Sequence, residues 1–358
     1  MASTSGAGKT DAERPVGCVH GSRCREAVAT PIDLRSLLAL PLAVALALLP
    51  SACKAPQSEA SANGSQPATA PSLQVGRSAA SEAATPLVLT TFTVLADMAR
   101  EVAGPHLRVA SITRLGAEIH GYQVTPGDIE RGQGASLILD NGLGLERWAR
   151  RFNANLPGVP RVTLSAGIEP LPITADSGRG KPNPHAWMSP ANALIYVENI
   201  RAAMTALMPQ RAPQFAANAR NYSNRIRALD LELRQAISAI PPERRLLVSC
   251  EGAFSYLASD YGLDEAYLWP VNAERQVTPQ RMARLIRTVK DRAVPAIFCE
   301  STVSSEAQKQ VAAESGSRFG GVFYVDSLSG PRGPAASYLD LLRHNVDTLV
   351  RGLEGQPR

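Results

Sequence analysis

Two histidines and two carboxylates, in the chain order His120, His185, Glu251 and Asp326, stand beside predicted strand ends in a chain that has only five histidines. A neutral imidazole offers a nitrogen lone pair and a carboxylate offers hard, anionic oxygen. A set of two and two therefore suits a divalent ion such as manganese or ferrous iron better than a soft, thiolate-bound metal. Either acid taken alone reads as a helix cap or a solvent-facing side chain. Their positions add weight: Glu251 follows the run Leu246–Cys250, Asp326 follows Gly321–Val325, His120 comes a few residues after Leu107–Thr113, and His185 is held by Pro184 ahead of a capped helix. In open α/β sheets, ligands collect beyond the carboxyl ends of strands. A hydrolytic metal site would keep a coordination position open beside a general base, whereas all four residues here are committed to the ion. Nothing resembles a nucleophile elbow, a P-loop or HExxH, so the chemistry expected is binding, not catalysis.

The elements that must position these residues follow an α/β pattern, short apolar runs alternating with longer periodic segments. Strands are expected at Leu87–Phe92, Leu107–Thr113, Leu137–Leu139 and Arg161–Leu164, and again at Leu246–Cys250, Ala266–Trp269, Ala296–Glu300 and Gly321–Val325. Thr125-Pro126, Ser189-Pro190 and Thr278-Pro279 each place a capping hydroxyl before a proline at the first helical position. Between the two strand sets, Arg211–Ala239 contains no glycine and only Pro213 near its start. As one helix it would run about 43 Å, enough to join two lobes as a stiff rod; the alternative is two helices broken near Asn221–Ser223. The expected organisation is a signal segment at 1–53, a flexible tether at 54–86, an N-terminal lobe at 87–210, a linking helix at 211–240 and a C-terminal lobe at 241–358.

At 358 residues and 44% hydrophobic content the chain can hold two domains with real cores. Its net charge of +5, without a Lys/Arg cluster, gives no sign of nucleic-acid binding. Ser36–Leu49 is an apolar run of 14 residues after Arg35, too short for a comfortable membrane span and about right for a signal-peptide core. Cys53, behind Ser51-Ala52, has the place of a lipid-acceptor cysteine, although Pro50 replaces the usual aliphatic residue. Lys54–Pro86 is rich in Ala, Ser, Gln and Pro and cannot bury enough surface to offset the entropy of ordering. His20, His106 and His344 have no partner ligands nearby in sequence and read as structural or exposed. Glu300 reads as a supporting acid and Trp187 as a cleft wall.

The four candidate ligands lie in the segments GAEIHGYQVTP, PNPHAWMSP, SCEGAFSYL and FYVDSLSG, and the chain also carries NGLGLERW, YLWPVNAERQ and ESTVS. In this order, from about Leu87 to the C-terminus, the segments resemble the metal-binding (cluster A-I) class of ABC-importer substrate-binding lipoproteins, most closely the manganese-binding members from cyanobacteria. Asn183 departs from the pattern, since many relatives carry Asp before the Pro-His. The resemblance implies two lobes, each with a mainly parallel sheet flanked by helices, joined by a long rigid helix, with the metal in the cleft between them. It also implies that His120 and His185 come from one lobe and Glu251 and Asp326 from the other. The expected function is capture of Mn(II) by a periplasmic or otherwise extracytoplasmic, lipid-anchored monomer, for delivery to an ABC permease and its ATPase. Fe(II) or Zn(II) is the alternative cargo, and a metallohydrolase or adhesin the alternative class. Glu at the third position, where zinc-specific relatives offer His, and the lack of a His- and acid-rich tract between Gly121 and Pro184 favour manganese or iron. Cys250 and Cys299 each precede a strand-end acid. They can form a disulfide if their strands are neighbours in register, as the resemblance implies, and otherwise remain two buried thiols.

Overall fold

The computed structural model describes residues 85–175, 178–271 and 277–354. The apolar run Ser36–Leu49, Cys53 and the tether up to residue 84 lie outside the described residues. The first half contains β1 (Leu87–Thr90), α1 (Thr93–Ala103), β2 (Arg108–Ser111), α2 (Pro126–Gly132), β3 (Ala135–Asp140), α3 (Ala149–Ala154) and β4 (Arg161–Thr163), followed by α4 (Pro190–Leu207). The strands form one parallel sheet in the order β2-β1-β3-β4. All four residues of β1 are buried, as expected of an apolar strand covered on both faces of a parallel sheet. Successive parallel strands need a crossover, and α1, α2 and α3 supply them. Because β2 and β3 flank β1 on opposite sides, the connections diverge there and open a crevice past the carboxyl ends of the strands.

The capping residues act as their sequence suggests. Thr125 caps α2 in a reciprocal box with Asp128, and the Ser189 hydroxyl accepts from Asn192 N–H at the start of α4. After α4 comes α5 (Ala212–Ser238), a single unbroken helix of 27 residues. Its buried residues Phe215, Ala219, Tyr222, Ile226, Leu229, Leu233 and Ile237 recur every three or four positions and form one stripe. That stripe packs on α1 and α4 of the first half and on helices of the second, so one helix spans both.

The second half contains β5 (Leu246–Glu251), α6 (Ser255–Tyr261), β6 (Asp264–Trp269), α7 (Pro279–Asp291), β7 (Ala296–Glu300), α8 (Glu306–Ser315), β8 (Arg318–Phe323) and α9 (Tyr338–Leu353). Thr278 caps α7 through Arg281 N–H. The strands do not make one continuous ladder: β5 pairs with β6 and β7 with β8, both parallel, as two separate two-stranded sheets. β5 and β7 are instead joined by a disulfide between Cys250 and Cys299, with Cα atoms 4.8 Å apart, and by the Glu300 carboxylate, which accepts from Glu251 N–H.

The last strand also differs from the sequence expectation, starting at Arg318 and ending at Phe323 instead of running over Gly321–Val325. The Arg318 guanidinium anchors its start on the carbonyls of Arg351 and Gly352 at the end of α9. Asn345 of α9 ends it by taking both the N–H and the carbonyl of Tyr324, at 2.8 and 2.6 Å. Gly320, within the strand, has no room for a side chain, since a Cβ there would come within 2.5 Å of the Phe298 ring.

The two halves meet through buried hydrogen bonds. Leu328 N–H donates to Thr93 Oγ1 at 3.0 Å, Trp187 Nε1 to the Val325 carbonyl at 3.2 Å, and the Tyr338 hydroxyl to the Trp187 carbonyl at 2.6 Å. Among the described residues no helix is long and apolar enough to cross a membrane.

The disulfide spans a sequence separation of 49, so loop closure alone contributes roughly 4 kcal/mol. Thermal melts of oxidised and fully reduced protein should therefore separate by several degrees. Superposable melts would show that the bridge adds nothing to stability.

Candidate metal centre

His120 lies in the loop between β2 and α2. Glu118 folds this loop back on itself, its carboxylate accepting from the N–H groups of His120 and Gly121 at 2.6 and 2.8 Å, while Trp148 Nε1 donates to the Ile119 carbonyl at 2.7 Å. His185 leaves the segment after β4 in a short turn. The Asn141 amide at the end of β3 holds the preceding Pro184 carbonyl at 3.0 Å. The His185 ring sits 5.1 Å from the Trp187 ring, and Trp187 is fully buried, a wall that also ties the Val325 carbonyl beside Asp326. Glu251 is the last residue of β5, not a loop residue. Asp326 stands three residues past β8, not directly after it.

From these four places the side chains converge. The Nε2 atoms of His120 and His185 are 3.2 Å apart. His120 Nε2 lies 3.3 Å from Glu251 Oε1 and 3.7 Å from Asp326 Oδ2, and His185 Nε2 lies 4.0 Å from Glu251 Oε1 and 3.7 Å from Asp326 Oδ1. Donor atoms held about 2.1–2.3 Å from one cation lie roughly 3–4 Å from each other, so the spacing matches a metal shell. His185 is fully buried, Glu251 and Asp326 are 4% and 2% exposed, and His120 at 9% is the most open. Asp326 Oδ1 is buried with no hydrogen-bond partner, an acceptor that a cation would satisfy.

Burial sets the protonation of the metal-free site. It lowers His120 to about 3, with the nearby Arg147 adding to the effect, and holds His185 well below the usual histidine range, with His120 adding. Asp326 moves the other way, raised to about 8 by burial and by the charge of Glu118, against a hydrogen bond from Thr302. At neutral pH the imidazoles are thus neutral and Asp326 holds a proton, so the histidine–carboxylate contacts are not ion pairs. Glu300, raised to about 8 mainly by burial, supports the backbone of Glu251 from behind.

The other histidines fall elsewhere. His106 ends a short turn after α1 and faces the Phe215 ring, His344 of α9 contacts the Val322 carbonyl, and His20 lies outside the described residues. Sequence reading passed over Glu118 as a loop-former and gave Asn183 no role. Both stand two residues before a candidate ligand, the one signal that could have marked them.

A family profile described as "Zinc-uptake complex component A periplasmic" (ZnuA) matches residues 88–352. The iron-binding protein YfeA of Yersinia pestis is 51% identical over 265 residues, covering 74% of this chain and 85% of that protein. The manganese-binding lipoprotein MntA of Halalkalibacterium halodurans is 34% identical over 266 residues, covering 74% and 88%. Among solved structures, a Mn-bound periplasmic metal binding protein from Candidatus Liberibacter asiaticus is similar with a TM-score of 0.70 at 42% identity, covering 75% of this chain and 99% of that one.

Proposed function

We propose that this chain, which belongs to the ZnuA family and so is the metal-binding, substrate-binding component of an ABC importer and not an enzyme, captures Mn(II) outside the cytoplasmic membrane for delivery to its permease and ATPase. His120, His185, Glu251 and Asp326 are the ligands in this reading. The observation that carries it is the convergence of two imidazole nitrogens, 3.2 Å apart, each within 4.0 Å of an oxygen of Glu251 and an oxygen of Asp326 in a buried site.

The choice of ion follows from the oxygen donors. Each oxygen of Asp326 lies 3.7 Å from a different histidine Nε2, a placement that supports bidentate ligation and a coordination number above the four that structural zinc prefers. By ligand type such a site is hard enough for Mn(II), although the affinity order of divalent ions runs against manganese, so geometry must supply the selectivity. Fe(II) is the second reading, favoured by the 51% identity to an iron-binding protein. Attachment to the membrane through a lipid on Cys53, and action as a monomer, complete the proposal; Ser51-Ala52 before Cys53 and the apolar run before them support the anchor.

Protein purified without added metal and analysed for its elements is expected to hold close to one manganese per chain. Competition titrations should then rank Mn(II) with or above Fe(II), and the loaded protein should stimulate its permease. Stoichiometric iron or zinc that excess manganese fails to displace would overturn the choice of ion.

A further inference from the structure

We infer that Asn183 is a positioning residue with two ends, one aiming the Nε2 lone pair of His185 at the metal and the other tying His185 to the strand end that carries Glu251. The inference rests on His185 and Glu251 being metal ligands, and it concerns a side chain that contributes no ligand atom.

Asn183 is 2% exposed, so both ends of its amide need partners. Its Nδ2 lies 2.8 Å from the Gly252 carbonyl and 3.1 Å from Ser255 Oγ. A carbonyl only accepts, which sets the orientation of the amide: the NH2 group faces Gly252 and Oδ1 faces the other way. Oδ1 then sits 2.9 Å from His185 Nδ1 and accepts also from His185 N–H at 3.1 Å. An amide oxygen cannot donate, so the imidazole proton must be on Nδ1. That leaves Nε2 as a bare lone pair, at the position 3.2 Å from His120 Nε2 where the four groups meet.

The other end joins the two halves. Gly252 directly follows Glu251, and the turn that receives the Asn183 donor is itself held by Glu265 of β6, whose carboxylate accepts from Ser255 Oγ at 2.6 Å and Phe254 N–H at 3.0 Å. The Asn183 carbonyl accepts from the Tyr256 hydroxyl at 2.8 Å, so the backbone stays in place when the side chain is changed. An aspartate could still accept from His185 Nδ1, but its second oxygen would face the Gly252 carbonyl with no proton between them. Of the two side chains, only the amide serves both partners, and it adds no charge to a site whose two carboxylates already balance a divalent ion.

The test is long-range proton–nitrogen correlation of the histidine rings in 15N-labelled, metal-free protein, with the His185 signals assigned by their loss in His185→Gln. Wild type and Asn183→Asp are expected to show a protonated Nδ1 and a bare Nε2, whereas Asn183→Leu should show a mixture of tautomers. Mn(II) affinity should fall about 10- to 100-fold in Asn183→Leu, the usual cost of removing a partner of a ligating histidine. In Asn183→Asp it should recover part of that loss and leave a deficit for the broken tie to Gly252. A wild-type His185 protonated on Nε2, or an Asn183→Leu protein with unchanged tautomer and affinity, would overturn the inference. The tautomer is read without metal, so a wild-type protein that binds no divalent ion would defeat the metal reading separately.

Discussion

Replacing Asp326 with Asn should lower Mn(II) affinity on the order of a hundred- to a thousandfold and, in the same protein, remove a pH-dependent instability of the metal-free state. The first effect follows from the share of one ligand in four. Four-ligand structural zinc sites gain about 10–16 kcal/mol on binding, and a quarter of that, taken as the scale for one ligand, is roughly 2.5–4 kcal/mol. Asn keeps the volume of Asp but gives up the charge that Oδ1 and Oδ2 direct toward the histidines. The second effect follows from burial. Asp326 is raised to about 8 in the folded protein but titrates near 3.9 when unfolded, so the folded state holds the proton more tightly. Its contribution to stability is fully present below about pH 4 and is lost as pH rises toward about 8. Asn cannot ionise and avoids this loss, so in chelator the variant should gain on wild type between pH 5 and 8.5. Glu146, raised by burial to about 7, remains in both proteins and cancels in the comparison. Glu300, raised to about 8 by burial and in part by the Asp326 charge, loses that part in the variant, which adds to the variant's gain. Urea unfolding at the two pH values measures the difference. Parallel pH profiles for the two proteins would mean that Asp326 is not protonated in the metal-free site.

The second expected result is a proton exchange. Mn(II) must displace the Asp326 proton, so below about pH 8 binding should release close to one proton per ion. Affinity then falls about tenfold for each unit of acidification, or on the order of a thousandfold between pH 8 and 5. Sequence alone suggests a different profile, a loss through the histidine range near about 6.5 because ligating imidazoles must be neutral. The structure removes that break: burial lowers His120 to about 3 and His185 well below the usual range, so neither has a proton to give up. Calorimetric titrations in buffers of different ionisation enthalpy count the protons directly. A release that begins only below pH 6.5, or an affinity that is flat from pH 6 to 8, would contradict the assignment to Asp326.

Much of this protein was legible along the chain because it depends on near neighbours. Thr125, Ser189 and Thr278 start their helices through N–H groups three residues ahead, and the glycine-free stretch between the strand sets forms α5 without a break. The four candidate ligands come together as their places at strand ends suggest, and Cys250 and Cys299 are bridged. What the chain could not display depends on partners far apart in sequence. Asn345 ends β8 from 21 residues away, and the second half divides into two sheets along β5 and β7, where a disulfide and a carboxylate replace a hydrogen-bonded ladder. Gly116 N–H reaches Ser327 Oγ across 211 positions, drawing the His120 loop onto the residue after Asp326. Burial by the whole fold then sets the protonation of the metal-free site, lowering both histidines and raising the aspartate. Residue type and local spacing determine which groups can meet at a strand end. The direction each lone pair faces, and which group holds the proton, were decided by tertiary packing, because desolvation and hydrogen-bond geometry come from every segment that surrounds the site.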